Sequence, residues 1–319
     1  MTRKASPFIK WVGGKGQLLC QLESLLPAEL EHEPFTYVEP FVGGGAMLFF
    51  MLQRFPNIRR VVINDINRHL AVAYRIVKEH PDALVLGLKR IEKEYKTLPT
   101  EEARKEFYLD MRWHFNDKPI DEIKRTTLLL FLNRTCFNGL YRENSHGKFN
   151  VPFGRYVNPT ICHAETIYVD SELLNHFNVE ILNGDFEEAA ETIDPKSLNF
   201  LYFDPPYRPL STTSSFNSYV KEIFDDGEQE RLAHLCRRLS SRGNCLWMLS
   251  NADCSAKNPD ELFFENLYEG FVINRVWATR AVNAVASKRG KLTELLIRNY
   301  EERTFAYQVA EEEVAYNPK

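Results

Sequence analysis

The chain has 319 residues, of which 44% are hydrophobic and 13% aromatic, which is enough apolar surface for one large domain or for a domain with an insertion. Its longest apolar runs, Ala46 to Leu52 and Leu128 to Leu132, are far shorter than the roughly 20 residues that a membrane-spanning helix needs, so we expect no membrane span. The formal net charge of −4 by itself neither indicates nor excludes a polyanionic partner.

The N-terminus and the cysteines are typical of a cytoplasmic protein. Met1 to Pro7 carries basic residues but is not followed by an apolar stretch with a small-residue cleavage site, so we expect no export. The six cysteines show no CxxC pair and no His spacing of the zinc type. We therefore interpret them as reduced, mostly buried thiols and expect no metal site.

Short β-rich runs alternate with helical stretches, which predicts a mostly parallel sheet covered by helices. The predicted strands are Thr36 to Phe41, Arg60 to Asn64, Val179 to Leu182, Asn199 to Phe203, Asn244 to Ser250, Phe271 to Val276 and Thr293 to Asn299. The first run leads into Gly43, Gly44 and Gly45 and then into the apolar helix Ala46 to Gln53. A strand, a glycine turn and a helix are the parts of a Rossmann-like ligand site, so we predict an α/β fold of that kind.

A long interval separates the second predicted strand from the third. Its helical patterns are Leu70 to Glu79, Asp82 to Tyr95, Glu101 to Phe115 and Ile120 to Asn133. Its last third, Asn138 to Tyr156, is rich in Asn, Gly, Arg and aromatic residues and has a turn at Glu143 to Gly147. Because an α/β crossover rarely needs about a hundred residues, we interpret the interval as an inserted helical subdomain with a hairpin or ordered loop.

Two stretches of the chain are locally basic. Lys124 to Arg155 contains six Lys or Arg against one acid, and Arg275 to Lys291 contains five and no acid. Both are candidate nucleic-acid surfaces, although ordinary solvated faces produce similar runs.

The ends of the first two strands indicate an adenosine-type ligand. Glycines remove the Cβ atoms that would keep a ligand from the backbone, and Asp65 follows Gly45 by 20 residues, at the end of the next strand. A carboxylate there can accept hydrogen bonds from a ribose diol. NAD, FAD and S-adenosylmethionine all fit this pattern.

The motif Asp204-Pro205-Pro206-Tyr207 favours the last of these ligands. It follows the predicted apolar strand Asn199 to Phe203, so the aspartate falls in the ligand crevice of an open sheet. The prolines rigidify the turn and leave carbonyls as acceptors, so Asp204 and a proline carbonyl can each accept one hydrogen of a planar NH2 group while Tyr207 stacks on its ring. Such a geometry favours an sp3 amine that attacks a methyl sulfonium. Asp204 then orients the amine and stabilises charge, because a neutral amine is far too weak an acid for a carboxylate.

These motifs, in this order, resemble the Dam-type (D12 class) DNA adenine-N6 methyltransferases, and the resemblance covers Phe8 to about Tyr300. It rests on Phe8-x-Lys10-Trp11-x-Gly13-Gly14-Lys15, Tyr37-x-Glu39-Pro40-Phe41-Val42-Gly43-Gly44-Gly45, Asn64-Asp65-x-Asn67, Asn138-Gly139-Leu140-x-Arg142, Phe149-Asn150-Val151-Pro152-x-Gly154-Arg155-Tyr156, Gly184-Asp185-Phe186 and Asp204 to Tyr207 followed by Pro209-Leu210-Ser211. The resemblance implies an S-adenosylmethionine-dependent enzyme that methylates N6 of an adenine flipped out of double-stranded DNA, within GATC. Another DNA site, cytosine N4, or a catalytically silent DNA-binding relative are the alternatives, and Asp rather than Ser before the prolines favours adenine.

The resemblance also implies roles for individual residues. The catalytic residues are Asp204, Pro205, Pro206 and Tyr207. The cofactor-binding residues are Trp11, Lys15, Phe41, Gly43, Gly45, Asp65, Asp185, Phe186 and Asp204. The DNA-binding residues are Lys10, Phe137, Asn138, Leu140, Arg142, Pro152 and Tyr156. Phe137 stands where some relatives carry tyrosine, which should keep intercalative stacking but lose a hydroxyl contact.

Further expectations concern domains, loops and partners. We expect a catalytic domain formed by 1–70 and 169–300, a target-recognition insert at 71–168 and an acidic tail at 301–319. Ser211 to Tyr219 resembles the family loop that closes on the flipped base, and Arg280 to Lys291 is a candidate phosphate contact. Double-stranded DNA is the expected partner. A cognate restriction endonuclease would act on the same site without touching this chain, and a methyltransferase without such a companion would carry the same motifs.

Overall fold

A computed structural model of the chain describes residues 4–208, 224–256, 258–279 and 291–301. Within these ranges, seven strands form one sheet. They are β1 (Phe35–Glu39), β2 (Ile58–Asn64), β3 (Glu180–Leu182), β4 (Leu198–Phe203), β5 (Cys245–Ala252), β6 (Val272–Thr279) and β7 (Lys291–Arg298). Every predicted strand overlaps one of them, so the strand predictions are confirmed.

The sheet has the order β3-β2-β1-β4-β5-β7-β6. The first five strands in this order are parallel, whereas β7 runs antiparallel to both β5 and β6. The order reverses between β1 and β4, which is the position at which open α/β sheets bind ligands. The predicted Rossmann-like α/β fold is confirmed.

Helices cover the sheet and fill the long interval after β2. They are α1 (Leu19–Glu23), α2 (Ala46–Arg54), α3 (Arg68–Glu79), α4 (Pro81–Thr97), α5 (Glu101–Asp117), α6 (Glu122–Thr135), α7 (Ala164–His176), α8 (Phe186–Ala190), α9 (Asp226–Ser240) and α10 (Phe263–Leu267), with 3-10 turns at Ala28–Glu31 and Phe137–Gly139. Several begin at a side chain that accepts hydrogen bonds from first-turn N–H groups, namely Asn67, Thr100, Asp121, Asp185 and Asp225. The helices predicted from the sequence correspond to α2 through α6 and are confirmed.

Alternate side chains of the strands enter two apolar cores, one on each face of the sheet. In β4, Phe200 and Tyr202 join the core that also holds α2, α3 and α6. Leu201 and Phe203 join the opposite core, which α9 covers with residues such as Leu232. The period of two along the strand therefore accounts for why nearly every residue of β4 is buried.

The helices α4 to α7 lie between β2 and β3 in the chain. They contact one another and α3, and their buried side chains share the apolar core that α2 also enters. The predicted boundary between residues 70 and 71 falls within α3, and that between 168 and 169 falls within α7. The division into domains stays a prediction.

The segment after α6 is an ordered hairpin-like loop. Antiparallel bridges join Cys136 with Phe153 and Glu143 with Phe149, and Gly147 N donates to Asn144 O over 2.9 Å. The predicted hairpin or ordered loop is therefore confirmed.

Two buried tyrosines fasten this loop to the helices. Tyr95 of α4 donates its hydroxyl to the carbonyl of Tyr156, and Tyr108 of α5 donates to the carbonyl of Val151, each over 2.7 Å. Both hydroxyls lie at one end of an otherwise apolar side chain, so each residue contributes core packing and satisfies a loop carbonyl.

None of the helices in the ranges described combines the length and the apolar character that crossing a membrane requires. The six cysteines are free, and only Cys20 is exposed, so the prediction of unpaired, mostly buried thiols is confirmed. The described residues contain no cluster of three or more His, Cys, Asp or Glu side chains that could hold a metal ion.

Candidate active site

The carboxyl ends of β1, β2 and β4 meet at one edge of the sheet. Val38 of β1 pairs with both Val62 of β2 and Leu201 of β4, so the segments that follow these strands start side by side. The segments are 40–45, 65–67 and 204–207, and we call them together the catalytic edge. Most of the residues predicted to be catalytic or to bind the cofactor lie in it.

The glycine turn of the catalytic edge is shaped by Tyr74 of α3. The Tyr74 hydroxyl donates to the carbonyl of Gly43 over 3.0 Å. Gly45 has φ +78°, and a Cβ atom there would lie 2.4 Å from the same hydroxyl. The turn can close over Tyr74 only because Gly45 carries no side chain, so the packing requires glycine at this position.

Asp65 is positioned by two backbone hydrogen bonds. Its Oδ2 accepts from Gly43 N over 3.1 Å and its Oδ1 from Asn67 N over 2.9 Å. Burial raises the pKa of Asp65 to about 6, against the opposing effect of these hydrogen bonds. Because a carboxylate has roughly four acceptor positions, each oxygen can still accept one hydrogen from a bound molecule.

Lys15 and Asp204 form a close ion pair at the end of β4. Lys15 Nζ lies 2.7 Å from Asp204 Oδ1 and donates to the carbonyl of Gly13 over 3.0 Å. The same ammonium lies 4.5 Å from the centre of the Tyr207 ring, within the range of a cation–π contact. Lys15 is only 4% exposed, so its charge depends on these partners.

The charge on Asp204 reflects opposing neighbours. Burial raises the pKa of Asp204 most strongly, the Lys15 ammonium lowers it, and the Glu294 carboxylate raises it further. Burial and nearby carboxylates also raise the pKa of Tyr207, which stays protonated. Asp204 is thus a carboxylate that can accept hydrogen bonds, and it lies near the protonated hydroxyl of Tyr207.

A buried amide pair holds the turn that follows Asp204. Gln229 of α9 donates from Nε2 to the carbonyl of Pro206 over 3.2 Å, and Asn251 of β5 donates to Gln229 Oε1 over 3.0 Å. Both amides are fully buried. The Pro206 carbonyl therefore already accepts a hydrogen bond from within the protein. The Pro205 carbonyl lies one residue earlier and takes no part in that hydrogen bond.

Aromatic rings form one side of the catalytic edge. Phe41 and Phe186 stack with ring centres 5.2 Å apart, and the Arg231 guanidinium lies 4.3 Å from the Phe186 ring centre. Asp185 accepts a hydrogen bond from Glu187 N over 2.8 Å and pairs with Arg231. The pair Asp185 and Phe186 is thus fixed by the start of α8 and by Arg231 of α9.

Trp11 lies between the glycine turn and the hairpin-like loop. Cβ atoms at Gly43 and Gly44 would lie 3.2 and 3.1 Å from Trp11 side-chain atoms. On the loop side, Trp11 stacks on Tyr141 with ring centres 5.0 Å apart and an interplanar angle of 28°. The indole therefore contacts both regions directly.

The predicted DNA-binding residues, apart from Lys10, lie in residues 137–156, which we call the recognition segment. Phe137 is 52% exposed, and Asn138, Arg142 and Pro152 are exposed as well. Arg142 donates to Asn150 Oδ1 over 2.7 Å and to its carbonyl over 3.2 Å. Leu140 and Tyr156 are partly buried.

Lys10 adjoins the recognition segment through Asn133 of α6. The Asn133 side chain accepts from Lys10 N over 3.0 Å and donates to the carbonyls of Lys10 and Gly139, each over 2.9 Å. Gly139 has φ +65°, and a Cβ atom there would lie 2.6 Å from the Lys10 side chain. The N-terminal motif and the recognition segment are therefore in contact, with the Lys10 side chain exposed.

The sequence is similar to those of known proteins over most of its length. The sequence profile of the D12 class N6 adenine-specific DNA methyltransferases matches residues 11–282. The chain belongs to this family. It is 48% identical over 301 residues to the type II methyltransferase M.MjaIII of Methanocaldococcus jannaschii, covering 93% of this chain and 100% of that protein. A DNA adenine methylase of Vibrio cholerae is 34% identical over 297 residues, covering 92% of this chain and 96% of the relative.

The chain is accordingly an adenine-specific DNA methyltransferase, as the sequence motifs predict. Among solved structures, the rRNA methyltransferase aviRa from Streptomyces viridochromogenes aligns over 92% of this chain and 90% of its own, with 13% identity and a TM-score of 0.38. The fold assignment rests on the strand order of the sheet.

Several residues that lie beside the catalytic edge of this D12-class methyltransferase are not among those predicted from the sequence. Glu294 of β7 accepts a hydrogen bond from Tyr207, and Gln229 holds the Pro206 carbonyl. Glu39 is buried beneath the edge and accepts from Tyr37 over 2.7 Å. A carboxylate within a predicted strand is the sequence signal that could have indicated Glu294 and Glu39.

Some sequence predictions for this methyltransferase concern residues outside the described ranges. They are Pro209 to Ser211, the loop Ser211 to Tyr219, most of the basic stretch Arg280 to Lys291 and nearly all of the tail 301–319. The roles assigned to these residues stay predictions.

Proposed function

We propose that the chain transfers a methyl group from S-adenosylmethionine to N6 of an adenine that is flipped out of double-stranded DNA at GATC. The observation that carries the proposal is the position of Asp204 to Tyr207, which follow β4 directly beside Asp65 and the glycine turn. Family membership supplies the reaction, adenine methylation of DNA, and the geometry supports the proposed donor and the roles of the residues.

The catalytic edge fits an S-adenosylmethionine molecule. This donor supplies a methyl group on an electrophilic sulfonium. The glycine turn lies beside Asp65, which has free acceptor positions for ribose hydroxyls. Lys15 is the buried cation that would meet the methionine carboxylate, and the rings of Phe41 and Phe186 offer an apolar surface to the purine.

Asp204 and Pro205 are proposed to hold the adenine amine. Since Gln229 already donates to the Pro206 carbonyl, the Pro205 carbonyl is the turn acceptor that we assign to the second amine hydrogen. Tyr207 would stack on the base. Two acceptors that draw both hydrogens to one side favour the sp3 amine, whose lone pair then faces the methyl donor.

The order of methyl and proton transfer follows from the acidity of the adenine amine before and after methylation. A neutral amine is far too weak an acid to lose a proton to Asp204, so the proton leaves after methyl transfer, when N6 is cationic. Because burial raises the pKa of Asp204, its carboxylate is a better acceptor for that proton than an exposed aspartate would be.

DNA contacts are assigned to the recognition segment and Lys10. Flipping adenine costs a few kcal/mol of unstacking, which binding elsewhere on the duplex has to offset. Phe137 is exposed and apolar, as a residue that inserts between bases must be. Arg142 could exchange its contacts with Asn150 for the O6 and N7 atoms of guanine, and Leu140 and Pro152 could touch a thymine methyl.

Methylation-aware sequencing of DNA from cells that express the chain tests the proposal. We expect N6-methyladenine at GATC with the wild-type chain and none with Asp204→Ala. Methyladenine at another sequence would overturn the proposed site, and N4-methylcytosine would overturn the proposed base. A tritiated-methyl assay with purified enzyme, S-adenosylmethionine and duplex DNA separates a silent chain from one that merely fails in cells.

The proposal includes a restriction endonuclease of the same specificity as a functional partner, because one relative is named a type II methyltransferase. The two enzymes would share a DNA site and need no contact. Protection of methylated DNA from an endonuclease encoded beside the chain would support this pairing, and the absence of any such activity would overturn it.

A further inference from the structure

Glu294 lies beside the catalytic edge although it comes from the far end of the chain. It belongs to β7, and it pairs with Ala252 at the carboxyl end of β5. Since β5 is parallel to β4 and β7 runs antiparallel to β5, the first half of β7 lies near the end of β4. The Glu294 side chain is 21% exposed, so most of it is enclosed.

The Glu294 carboxylate contacts two residues of the site. Its Oε2 accepts a hydrogen bond from the Tyr207 hydroxyl over 2.7 Å. The same oxygen lies 3.9 Å from Lys15 Nζ, which in turn lies 2.7 Å from Asp204 Oδ1 and 4.5 Å from the Tyr207 ring centre. Four residues from three chain segments thus form one closed set of contacts.

This set of contacts restrains the groups that the proposed mechanism uses. A phenol that donates to a charged carboxylate makes a stronger hydrogen bond than it makes to a neutral acceptor, so Glu294 fixes the tilt of the Tyr207 ring. Lys15 lies over one face of that ring, so a stacked base would have to occupy the other face. The Lys15 ammonium is shared between two carboxylates, and this limits how far it can move from Asp204.

We propose that Glu294 is a positioning residue, which holds the stacking ring of Tyr207 and the cation of Lys15 at a fixed spacing from Asp204. The inference rests on the proposed function, since it assumes that Tyr207 stacks on adenine and that Asp204 holds the amine.

Electrostatics give this inference an independent measurable consequence. The negative charge of Glu294 contributes to the raised pKa of Asp204. The titratable groups coupled to Asp204 are Lys15, Glu294, Glu39, Tyr202 and Tyr207. Glu294→Gln removes one negative charge, so the pKa of Asp204 should fall. If only ionised Asp204 holds the amine, the acid limb of kcat should then move to lower pH.

The test compares Glu294→Ala, Glu294→Gln, Tyr207→Phe and the double variant Glu294→Ala/Tyr207→Phe with the wild type. Initial rates are measured with S-adenosylmethionine and a GATC duplex. We expect Glu294→Ala to lower kcat by about 100-fold, as small misplacements in active sites do. In the Tyr207→Phe background the same change should cost much less, because the hydrogen bond is already absent. Glu294→Gln should keep most of kcat, since its amide oxygen still accepts, and should show the shifted acid limb.

Glu180→Gln is the control, because the Glu180 carboxylate pairs with Arg60, and β3, which carries it, lies on the other side of β4 from β7. It should behave as the wild type. Independent, multiplying effects of Glu294→Ala and Tyr207→Phe, or an unshifted acid limb in Glu294→Gln, would overturn the inference. If Glu294→Ala fails to fold, the pH profile of Glu294→Gln still decides. A wild-type enzyme that does not methylate the duplex would instead overturn the proposed function.

Discussion

The catalytic edge and the recognition segment are built in opposite ways. At the edge, Asp65 and Asp204 are anchored by contacts that the protein makes with itself, at the ends of buried parallel strands. In the recognition segment, Phe137 and Arg142 are exposed, and Arg142 contacts only a neighbouring asparagine among the described hydrogen bonds. The residues proposed for catalysis are thus held by contacts within the protein, whereas the residues proposed to read DNA lie on the surface.

This difference corresponds to what each region has to do. Catalysis gains from groups whose positions are fixed before the substrate arrives, because no reorganisation is then needed during the reaction. Sequence recognition needs side chains that can reach base edges, so their decisive contacts form only with DNA. Substitutions in the two regions should therefore change different measurable quantities.

The largest effect is expected from the catalytic edge. Asp204→Ala should reduce kcat by more than about 10³-fold at every DNA sequence, because it removes an acceptor for the amine and the closer of the two carboxylates that contact Lys15. The measurement is tritiated-methyl transfer to duplexes with and without GATC. Asp82→Asn of α4, which changes only the charge of a surface group that accepts from the Tyr168 hydroxyl, should keep wild-type rates. Activity of Asp204→Ala near that of the wild type would remove Asp204 from the mechanism.

The same contrast explains how much of the fold could be predicted. The strands and α2 to α6 follow from local patterns, since buried runs and helical periodicity are written in neighbouring residues. The antiparallel placement of β7 between β5 and β6 is not local. It depends on which strand edges remain free once the parallel strands have paired, and the sequence pattern of β7 does not encode this.

The residues of the candidate site likewise fall into those that could be predicted from the sequence and those that could not. Asp65 and Asp204 could be predicted because each directly follows a recognisable strand. Glu294 and Gln229 could not, because they reach the site from β7 and α9 through packing of distant segments. The sequence predicts that Lys15 binds the cofactor, but its ion pair with Asp204 depends on how the N-terminal segment packs against the end of β4.

The second effect concerns the recognition segment. Arg142→Ala should weaken discrimination at one base pair by about 1–3 kcal/mol, or roughly fivefold to 150-fold, if Arg142 reads a guanine edge. The methylation rate at GATC should change less than the ratio between the rates at GATC and at sequences that differ at the guanine. Competition between such duplexes measures this ratio. Arg90→Ala, an exposed arginine of α4, is the control, and equal loss at all sequences would assign Arg142 to phosphate contact instead.

The third effect is a pH dependence of cofactor affinity. Burial raises the pKa of Asp65 to about 6, so its carboxylate is ionised above that pH and gains a proton below it. Ribose hydroxyls donate to the ionised form, so affinity for S-adenosylmethionine should be full above pH 6 and decrease as pH falls through it, by about tenfold at pH 5. Calorimetry at both pH values measures this. Asp65→Asn should bind more weakly and with little pH dependence, and a wild-type affinity unchanged between pH 7 and 5 would exclude the role.

The smallest expected effect lies where the two regions touch. Trp11 packs on the glycine turn and stacks on Tyr141, which directly precedes Arg142. Aromatic pairs contribute about 0.5–1.5 kcal/mol, so Tyr141→Ala should weaken cofactor binding by about twofold to tenfold. It should also remove any influence of a bound GATC duplex on cofactor affinity, measured as the ratio of Kd values with and without DNA. Tyr141→Phe keeps the ring and loses the hydroxyl contacts with Glu143 and Asn67, so it should preserve that ratio if the stacked ring carries the effect. If Tyr141→Ala preserved it too, the catalytic edge and the recognition segment would act independently, and stacking between them would serve stability alone.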